Sequence, residues 1–421
     1  MKKIPESLKK QFSEIGIFSE TFLKWFGISI GIGFVGGLIG TAFYKSVAWA
    51  TGMRSASPWL LFLLPLAGVA ISVIYRYTHT EGENTNDIID SILLGNDVPL
   101  MLLPVIFVST VLTHLFGGSA GREGAALQIG GSLGCSAGKV FLLDEKEERI
   151  AILSGMSAVF SALFGTPVTA AVFAIEVCSI GILHYSALVP CGIAALTAYA
   201  ITDVFSIEPT HFAVPVVELQ LEMVLKVVFL AVLCAFLSVL FCKSMHLSNK
   251  YAAKLIRNSD LRAFAGGCII IVLALILRTR DYTGGGVDLI ARAIEQGQAR
   301  PLAFLLKLLF TAVTLSCGFK GGEIVPTFFI GSTFGCVIGP LIGIPPEFAA
   351  AVGLISTFCG AVNCPLSSVL LSIEIFGSGN LIYFAAACFV SYMLSGYTSL
   401  YAEQKIIYSK LKAEYININA E

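Results

Sequence analysis

Long apolar stretches recur along the whole chain and are separated by short polar segments. A membrane-spanning helix needs about 20 consecutive, mostly apolar residues. Several stretches come close to or exceed that length, namely 26–50, 58–76, 98–117, 184–202, 221–242, 262–277, 301–317 and 380–398. Their length and number predict an all-α polytopic membrane protein.

A second set of apolar segments is shorter and is interrupted by Gly and Pro. These segments are 119–137, 150–164, 167–182, 323–344, 347–360 and 364–376. Inside a bilayer, short or broken helices persist only where protein buries them or where they line a cavity. Broken segments at matching places in two halves of a chain point to the binding site of a transporter.

The two halves share two sequence motifs in the same order. Glu123 lies in the segment 121–132 and Glu323 in the segment 321–332, and each glutamate is followed by a Gly-Ser pair at the same offset. Further on, the segment 167–176 and the segment 365–374 both run from a proline to a glutamate nine residues later. The chain is therefore predicted to contain an internal repeat.

The distribution of Lys and Arg along the chain predicts where the two repeats begin and end and how they are oriented in the membrane. Lys and Arg concentrate before residue 26, between residues 243 and 262 and after residue 399, whereas the segment 203–220 has neither. Since cytoplasmic loops carry the excess of Lys and Arg, the repeats are expected to be inverted, with both termini cytoplasmic. The predicted organisation is a cytoplasmic N-terminal segment (1–25), a first membrane repeat (26–202), an extracellular linker (203–220), a second membrane repeat (221–398), and a pore-lining C-terminal helix with a cytoplasmic tail (399–421).

Composition supports this picture and narrows the function. Hydrophobic residues make up 56% of the 421 residues and charged residues 13%, about half the charged fraction of a typical soluble domain. A net charge of −1 offers no basic field for nucleic acid. The eleven cysteines form no C-x-x-C pair and are predicted to be buried apolar side chains. No cofactor or metal is expected.

Glycine-rich helix starts are the candidate anion-binding elements. Backbone N–H groups at a helix N-terminus bind anions, and the helix dipole favours negative charge there. Four such starts occur, at 82–86, 121–124, 283–287 and 321–326. The candidate anion-binding residues from these segments are Gly82, Asn84, Arg122, Gly124, Ile324 and Val325.

Glu123 is an ionisable group in an apolar segment, which by default indicates function in a membrane. A carboxylate could occupy an anion site when it is charged and leave the site when it is protonated. The alternatives are that Glu123 pairs with Arg122 or that it caps a helix.

These motifs resemble the CLC family of anion channels and transporters. The resemblance rests on the segment 117–124, on Gly-Gly-Glu-Ile-Val-Pro at 321–326 and on the paired proline-to-glutamate helices, and it covers about residues 28–410. It implies a CLC-type inverted repeat of tilted and broken helices, a homodimer with one pore per subunit, and no enzymatic activity. It also places the external gate on Glu123 and the pore tyrosine on Tyr401, for which the alternative is a tyrosine of the membrane interface.

Three departures from the common CLC pattern resemble the fluoride-exporting branch of the family. The first filter loop reads Gly82-Glu-Asn-Thr-Asn86 instead of Gly-Ser-Gly-Ile-Pro, so Asn84 takes the place of the serine. Glu323 adds a carboxylate beside the pore. The internal proton glutamate of the chloride exchangers falls on Val177, which cannot titrate, so Glu323 is the carboxylate available for the inner proton path. Glu176 and Glu374 are expected to be structural.

The sequence therefore predicts a fluoride/proton antiporter, with Glu123 and Glu323 handling protons, in a bacterial-type plasma membrane. The expected partners are fluoride or chloride, protons, membrane lipid and a second copy of the chain. One alternative is a chloride/proton antiporter or a passive chloride channel on the same scaffold. Another is an intramembrane hydrolase, because residues 117–121 fit Gly-x-Ser-x-Gly and His114 is nearby, although one helix would direct His114 and Ser119 to different faces.

Overall fold

A computed structural model describes residues 6–421, with side chains described from residue 15 onward. Over that part of the chain the fold consists of sixteen α-helices and one small sheet. The helices of the first half are α1 (Glu6–Ala56), α2 (Leu64–Tyr77), α3 (Thr85–Leu94), α4 (Leu102–Phe116), α5 (Glu123–Val140), α6 (Glu145–Phe164), α7 (Pro167–Glu176) and α8 (Leu188–Val204). Those of the second half are α9 (Leu221–Leu255), α10 (Ser259–Leu277), α11 (Val287–Glu295), α12 (Ala303–Ser316), α13 (Ile324–Ile338), α14 (Pro346–Val362), α15 (Pro365–Phe376) and α16 (Leu381–Leu394).

The eight helices of one half correspond in order to the eight of the other, which confirms the predicted repeat. Each half opens with its longest helix, α1 or α9, and continues with shorter ones. Six helices in the described range are long and apolar enough to span a bilayer, and several others have only 10–17 residues. The predicted mixture of spanning and broken helices is thus present.

The boundary between the halves falls where the charge pattern placed it. Helix α8 ends at Val204 and α9 begins at Leu221, with no helix or strand between them. At the N-terminus, residues 1–5 of the predicted cytoplasmic segment lie outside the described residues. The rest of that segment, from Glu6, belongs to α1, so the first repeat has no separate boundary at residue 26.

Glycine lets two helices of each repeat touch backbone to backbone. A Cβ added to Gly155 of α6 would lie 2.1 Å from the carbonyl oxygen of Gly130 in α5. In the second repeat, a Cβ on Gly353 of α14 would lie 2.2 Å from the carbonyl oxygen of Gly331 in α13. Helices in membranes commonly pack through such small residues. The helices that begin at the two candidate glutamates are therefore fixed against their neighbours in the same way.

The two repeats meet at a short antiparallel contact in the centre of the molecule. Gly121 N–H donates to the carbonyl of Gly322 at 2.7 Å, and Gly322 N–H donates to the carbonyl of Gly121 at 2.9 Å. A reciprocal antiparallel pair is the contact expected of two elements related by a two-fold rotation. The starts of α5 and α13 consequently lie side by side.

The predicted pore-lining helix at 399–421 is wrong. Beyond α16 the chain forms strands β2 (Lys405–Tyr408) and β3 (Tyr415–Asn419), which pair antiparallel. Strand β2 also pairs in parallel with β1 (Ser179–Ile180), which follows α7 in the chain. The alternating run Tyr-Ile-Asn-Ile-Asn at 415–419 suits a strand better than a helix, since its period is two. Tyr401 therefore lies in the connection between α16 and this hairpin.

Candidate functional site

Glu123 lies at the N-terminus of α5 with only 1% of its surface exposed. Its Oε2 accepts the backbone N–H of Arg122 at 2.9 Å, and the Arg122 Nε lies 3.5 Å from its Oε1. The backbone N–H of Val325, from the start of α13, also faces this carboxylate. A carboxylate thus occupies a position where two helix N-termini converge, which is where an anion would bind.

Glu123 is close to Arg122, but its surroundings allow its side chain to move, unlike those of a purely structural ion pair. The Arg122 guanidinium lies over the ring of Tyr44, 4.3 Å from its centroid. Glu123 itself borders a cavity of about 620 Å³, together with Tyr44, His114, Arg122 and Val325. This space, here named the Glu123 cavity, gives the carboxylate room to leave its position.

Glu323 borders a different cavity, of about 330 Å³, which is here named the Glu323 cavity. Its walls include Gly82, Asn84, Thr85, Gln128, Lys320 and Tyr401. Glu323 is the N-cap of α13, and its carbonyl accepts both the N–H and the hydroxyl of Thr327. Its carboxylate approaches α5, since a Cβ added to Gly124 would lie 3.2 Å from Glu323 Oε2. The two candidate proton carriers therefore reach the same junction from opposite cavities.

Asn84 lies at the N-terminus of α3, at the edge of the Glu323 cavity. Its Oδ1 accepts the N–H of Asn86 at 2.8 Å and its Nδ2 donates to the carbonyl of Gly82 at 2.9 Å. Because an amide NH₂ carries two donors, one N–H remains for a ligand. The predicted anion-binding residue is thus also a helix cap, and Gly82 holds its side chain in place.

Tyr401 is buried, with 2% of its surface exposed, and faces the Glu323 cavity. Its burial excludes the alternative of a tyrosine at the membrane interface. The hydroxyl finds no hydrogen-bond partner among the described residues. An orphaned buried hydroxyl is costly, and this one is free to donate to a ligand in the Glu323 cavity.

Gln128 is a polar residue that the sequence analysis missed. It is 4% exposed, its Nε2 donates to Thr85 Oγ1 at 3.1 Å, and its Oε1 lacks a partner within the described range. The signal was present, since a glutamine in the apolar run after Glu123 needs a partner once it is buried. Gln128 joins α5 to the start of α3 beside the Glu323 cavity.

The four glycine-rich helix starts do not converge on one point. The starts at 82–86 and 321–326 contribute Asn84 and Glu323 to the Glu323 cavity. The starts at 121–124 and 283–287 border the Glu123 cavity, to which Val325 is added from α13. Ile324, the first residue of α13, is fully buried. The candidate anion-binding elements are therefore divided between two cavities.

The glutamates that end α7 and α15 are structural, as predicted. Glu176 accepts the backbone N–H groups of Leu366 and Ser367 at the start of α15, at 3.1 and 2.8 Å. Glu374 accepts those of Val168 and Thr169 at the start of α7, at 3.0 and 2.8 Å. Each repeat thus caps the N-terminus of a helix in the other repeat.

Val177 and the hydrolase motif contribute no chemistry. Val177 is fully buried, and its carbonyl accepts Gln404 Nε2 at 2.7 Å. The sequence suggested that one helix carries both His114 and Ser119. Helix α4 instead ends at Phe116, so Ser119 lies outside it. His114 Nε2 lies 3.2 Å from the Gly121 carbonyl and Ser119 Oγ lies 3.0 Å from Thr311 Oγ1. With both side chains engaged elsewhere, the serine lacks the base that a nucleophile needs.

Residues 66–396 match the family model of the voltage gated chloride channels. The chain belongs to this family. It is 36% identical over 396 residues to a chloride/fluoride channel protein of Pseudomonas syringae pv. tomato, covering 92% of this chain and 87% of that protein. It is 25% identical over 426 residues to an H⁺/Cl⁻ exchange transporter of Vibrio cholerae, covering 90% and 87%.

The fold agrees with solved structures of the same family. A CLC-type fluoride/proton antiporter superposes with a TM-score of 0.87 at 32% identity, over 91% of this chain and 98% of that one. A slow cyanobacterial Cl⁻/H⁺ antiporter superposes with a TM-score of 0.75 at 19% identity, over 88% and 94%, which shows the shared fold. The chain is thus an integral membrane protein with the CLC architecture.

Proposed function

We propose that this protein is a fluoride/proton antiporter that uses protons moving inward to export fluoride. The observation that carries the proposal is the placement of Glu123 and Glu323. The two carboxylates border separate cavities and meet at the contact between the repeats. Exchange of an anion for a proton requires such an arrangement, because one group then exchanges with each side.

Glu123 acts as the gate in this proposal. As a carboxylate it occupies the convergence of the starts of α5 and α13, and so it blocks an anion. When Glu123 is protonated it loses its attraction to those N–H groups and leaves them free for fluoride. Once fluoride has left to the outside, Glu123 passes its proton inward to Glu323, and its carboxylate returns to the N–H groups.

Glu323 supplies the second proton-exchanging group. The position that carries an acid in chloride exchangers holds Val177, which is buried and apolar. Glu323 instead lines the same cavity as Tyr401 and Asn84. This proton carrier therefore shares the Glu323 cavity with an inner fluoride site, which is distinct from the site at the N–H groups around Glu123. Protonated Glu323 could donate to fluoride directly, since carboxylic acids donate one hydrogen bond.

The donors around the Glu323 cavity favour fluoride over chloride. The orphan hydroxyl of Tyr401 and the free N–H of Asn84 are compact donors. Fluoride is the smaller halide and the stronger hydrogen-bond acceptor, so it gains more from such donors. The two relatives described with fluoride, at 36% and 32% identity, support the same choice.

The positive-inside rule supports an orientation with the Glu323 cavity and both termini on the cytoplasmic side and the Glu123 cavity outside. The matched relatives from Pseudomonas and Vibrio support a bacterial plasma membrane. In keeping with the resemblance to CLC proteins, the protein is a homodimer with one pathway in each subunit.

The test uses purified protein in liposomes loaded with fluoride or with chloride. Fluoride leaving down its gradient should drive protons inward against their own gradient, and chloride should move far more slowly. Equal rates for the two halides would replace the proposal by a chloride/proton antiporter, and halide movement without protons would replace it by a passive channel. Glu295→Gln, at an exposed glutamate that lines neither cavity, serves as the matched control for carboxylate substitutions.

A further inference from the structure

The Glu123 cavity has more positive charge than a halide path requires. The arginines on its wall are Arg54, Arg122, Arg280 and Arg292. Of its acidic residues, Glu123 is paired with Arg122 at 3.5 Å and Asp281 with Arg300 at 3.2 Å, which leaves Asp288. Across residues 15–421, no carboxylate oxygen lies within 4.0 Å of Arg54, Arg280 or Arg292. The cavity therefore has a surplus of unpaired cations.

Arg54 is held in this position by α4 and packs against the loop that precedes α11. Its Nη1 donates to the His114 carbonyl at 3.3 Å and lies against Gly284, where an added Cβ would come within 2.1 Å of that nitrogen. The carbonyl of Gly284 accepts Lys307 Nζ at 2.5 Å, and Lys307 is fully buried. Lys307 thus anchors this loop, and Arg54, which packs against it, has no carboxylate oxygen within 4.0 Å. A guanidinium in such a place favours an anion.

The start of α11 adds backbone donors to the same wall. Gly286 is its N-cap, in the left-handed conformation at φ 81°, and residues 285–289 border the cavity. An N-terminus with free N–H groups favours negative charge, which Asp288 in the first turn partly supplies. The arginines and the helix start therefore face one space from several sides.

The size of this space and the shape of its donors decide the chemistry of the ligand. A cavity of about 620 Å³ is far larger than a halide needs. Guanidinium groups present paired N–H donors that match two oxygens of one oxyanion. We propose that the Glu123 cavity binds a doubly charged tetrahedral oxyanion, of the sulfate or hydrogen phosphate class, over Glu123, and that its presence slows transport.

Calorimetric titration of the detergent-purified protein with sodium sulfate, at constant ionic strength set by sodium chloride, tests the site. Saturable binding is expected, and Arg54→Gln or Arg292→Gln should weaken it by about tenfold or more. Arg257→Gln, an exposed arginine outside both cavities, should bind sulfate as the unmodified protein does. Arg280 and Arg292 are exposed on the cavity rim, so Arg280→Gln and Arg292→Gln remain informative if Arg54→Gln fails to fold.

Flux measurements then connect binding to transport. Sulfate on both faces of the liposomes should lower the fluoride efflux rate in a saturable way, and Arg292→Gln should relieve that inhibition. The proposal is overturned if sulfate titration is featureless, or if Arg257→Gln weakens binding as much as Arg292→Gln does. It is also overturned if only short-chain phosphatidylglycerol saturates the site, because the phosphate recognised would then be that of a lipid. Sulfate binding does not depend on which halide is transported, so this test is independent of the proposed function.

Discussion

The start of α5 and the start of α13 are equivalent positions in the two repeats, yet their surroundings differ. Glu123 is almost wholly buried and lies beside the guanidinium of Arg122. Glu323 has Gly322 in the place of that arginine, and its cavity has Lys320 in its wall. Two-fold symmetry therefore builds the scaffold, whereas single substitutions at its centre give the two carboxylates different environments. Substitutions made in pairs, one in each repeat, separate the symmetric scaffold from the asymmetric site. Equivalent glycines of the scaffold should respond alike, whereas Glu123 and Glu323 should respond differently.

Glu123→Gln should have the largest effect and should separate the two glutamates. An amide cannot carry the proton, so fluoride-driven proton uptake should fall by at least about 100-fold. Glu323→Gln should also reduce proton uptake, but it should leave Glu123 able to block the anion path. Proton and fluoride fluxes measured together in liposomes check this, with Glu295→Gln as the control.

The gate assignment fails if proton uptake by Glu123→Gln stays near that of the unmodified protein. The proposed difference between the two glutamates fails if both variants carry fluoride at the same rate and with the same dependence on pH.

Gly155→Ala and Gly353→Ala should each destabilise the protein strongly and to a similar extent. The added Cβ would come within 2.2 Å of a carbonyl oxygen on the neighbouring helix, and the helices would have to separate. A loss of roughly 3 kcal/mol in the free energy of unfolding is expected for such overpacking. The temperature at which half of the detergent-solubilised protein unfolds gives the measure.

Gly192→Ala is the control for these substitutions. Gly192 lies within α8, and an added Cβ would meet nothing within 4 Å. That variant should be neutral or slightly stabilising. A large loss in only one of Gly155→Ala and Gly353→Ala would show that the two repeats do not share their packing.

The repeat could be read from the sequence because its motifs are local. Glycine, proline and glutamate at fixed offsets mark helix starts and caps, and these features do not depend on distant parts of the chain. The division of the helix starts between two cavities could not be read, since it depends on how the repeats rotate against each other around Gly121 and Gly322. Similarly, the orphaned hydroxyl of Tyr401 and the link from Gln128 to Thr85 appear only once several helices are assembled.

The C-terminal hairpin shows a different reason for error. The family resemblance suggested a helix at 399–421, while the local alternation at 415–419 favoured a strand. The strand formed because β1 supplies a partner edge 226 residues earlier in the chain, where Ser179 pairs with Lys405. A pattern with a period of two therefore deserved more weight than the resemblance at this position.

Glu176→Gln and Glu374→Gln should cause smaller losses of stability, with the larger loss for Glu176→Gln. Each carboxylate accepts two backbone N–H groups at a helix start of the other repeat, and Glu176 also accepts the hydroxyl of Ser367. An amide keeps one acceptor oxygen but turns its own N–H donors toward the backbone N–H group that the second oxygen accepted. A loss of roughly 2 kcal/mol is expected for Glu374→Gln. Thermal unfolding of the two variants checks this, and a loss for Glu176→Gln no larger than that for Glu374→Gln would mean that the hydroxyl of Ser367 adds nothing to the cap.

Lys410 of the C-terminal hairpin hydrogen-bonds to the second repeat alone and should give the smallest effect. Its Nζ donates to Asn363 Oδ1 at 2.5 Å, to the Tyr392 carbonyl at 2.8 Å and to Ser395 Oγ at 3.1 Å, so it ties the hairpin to the ends of α14 and α16. Burial lowers the pKa of this amine to about 7. Between about pH 7 and pH 10 the undocked hairpin binds more protons than the docked one, so docking strengthens as pH rises and is constant below pH 7.

Hydrogen exchange of the hairpin amides, corrected for the intrinsic pH dependence of exchange, measures this docking. Protection should rise by about tenfold between pH 7 and pH 9, which is less than the full linkage effect of one proton because three acceptors also stabilise the ammonium form. Lys410→Met should flatten this profile, while Lys412→Met, on the exposed turn of the same hairpin, should retain it. The first repeat offers no corresponding lysine at the end of α6, where Gly165 stands in the place of Asn363. A rise in protection that survives Lys410→Met would therefore assign the pH dependence to another group, and the docking of the hairpin would no longer distinguish the two repeats.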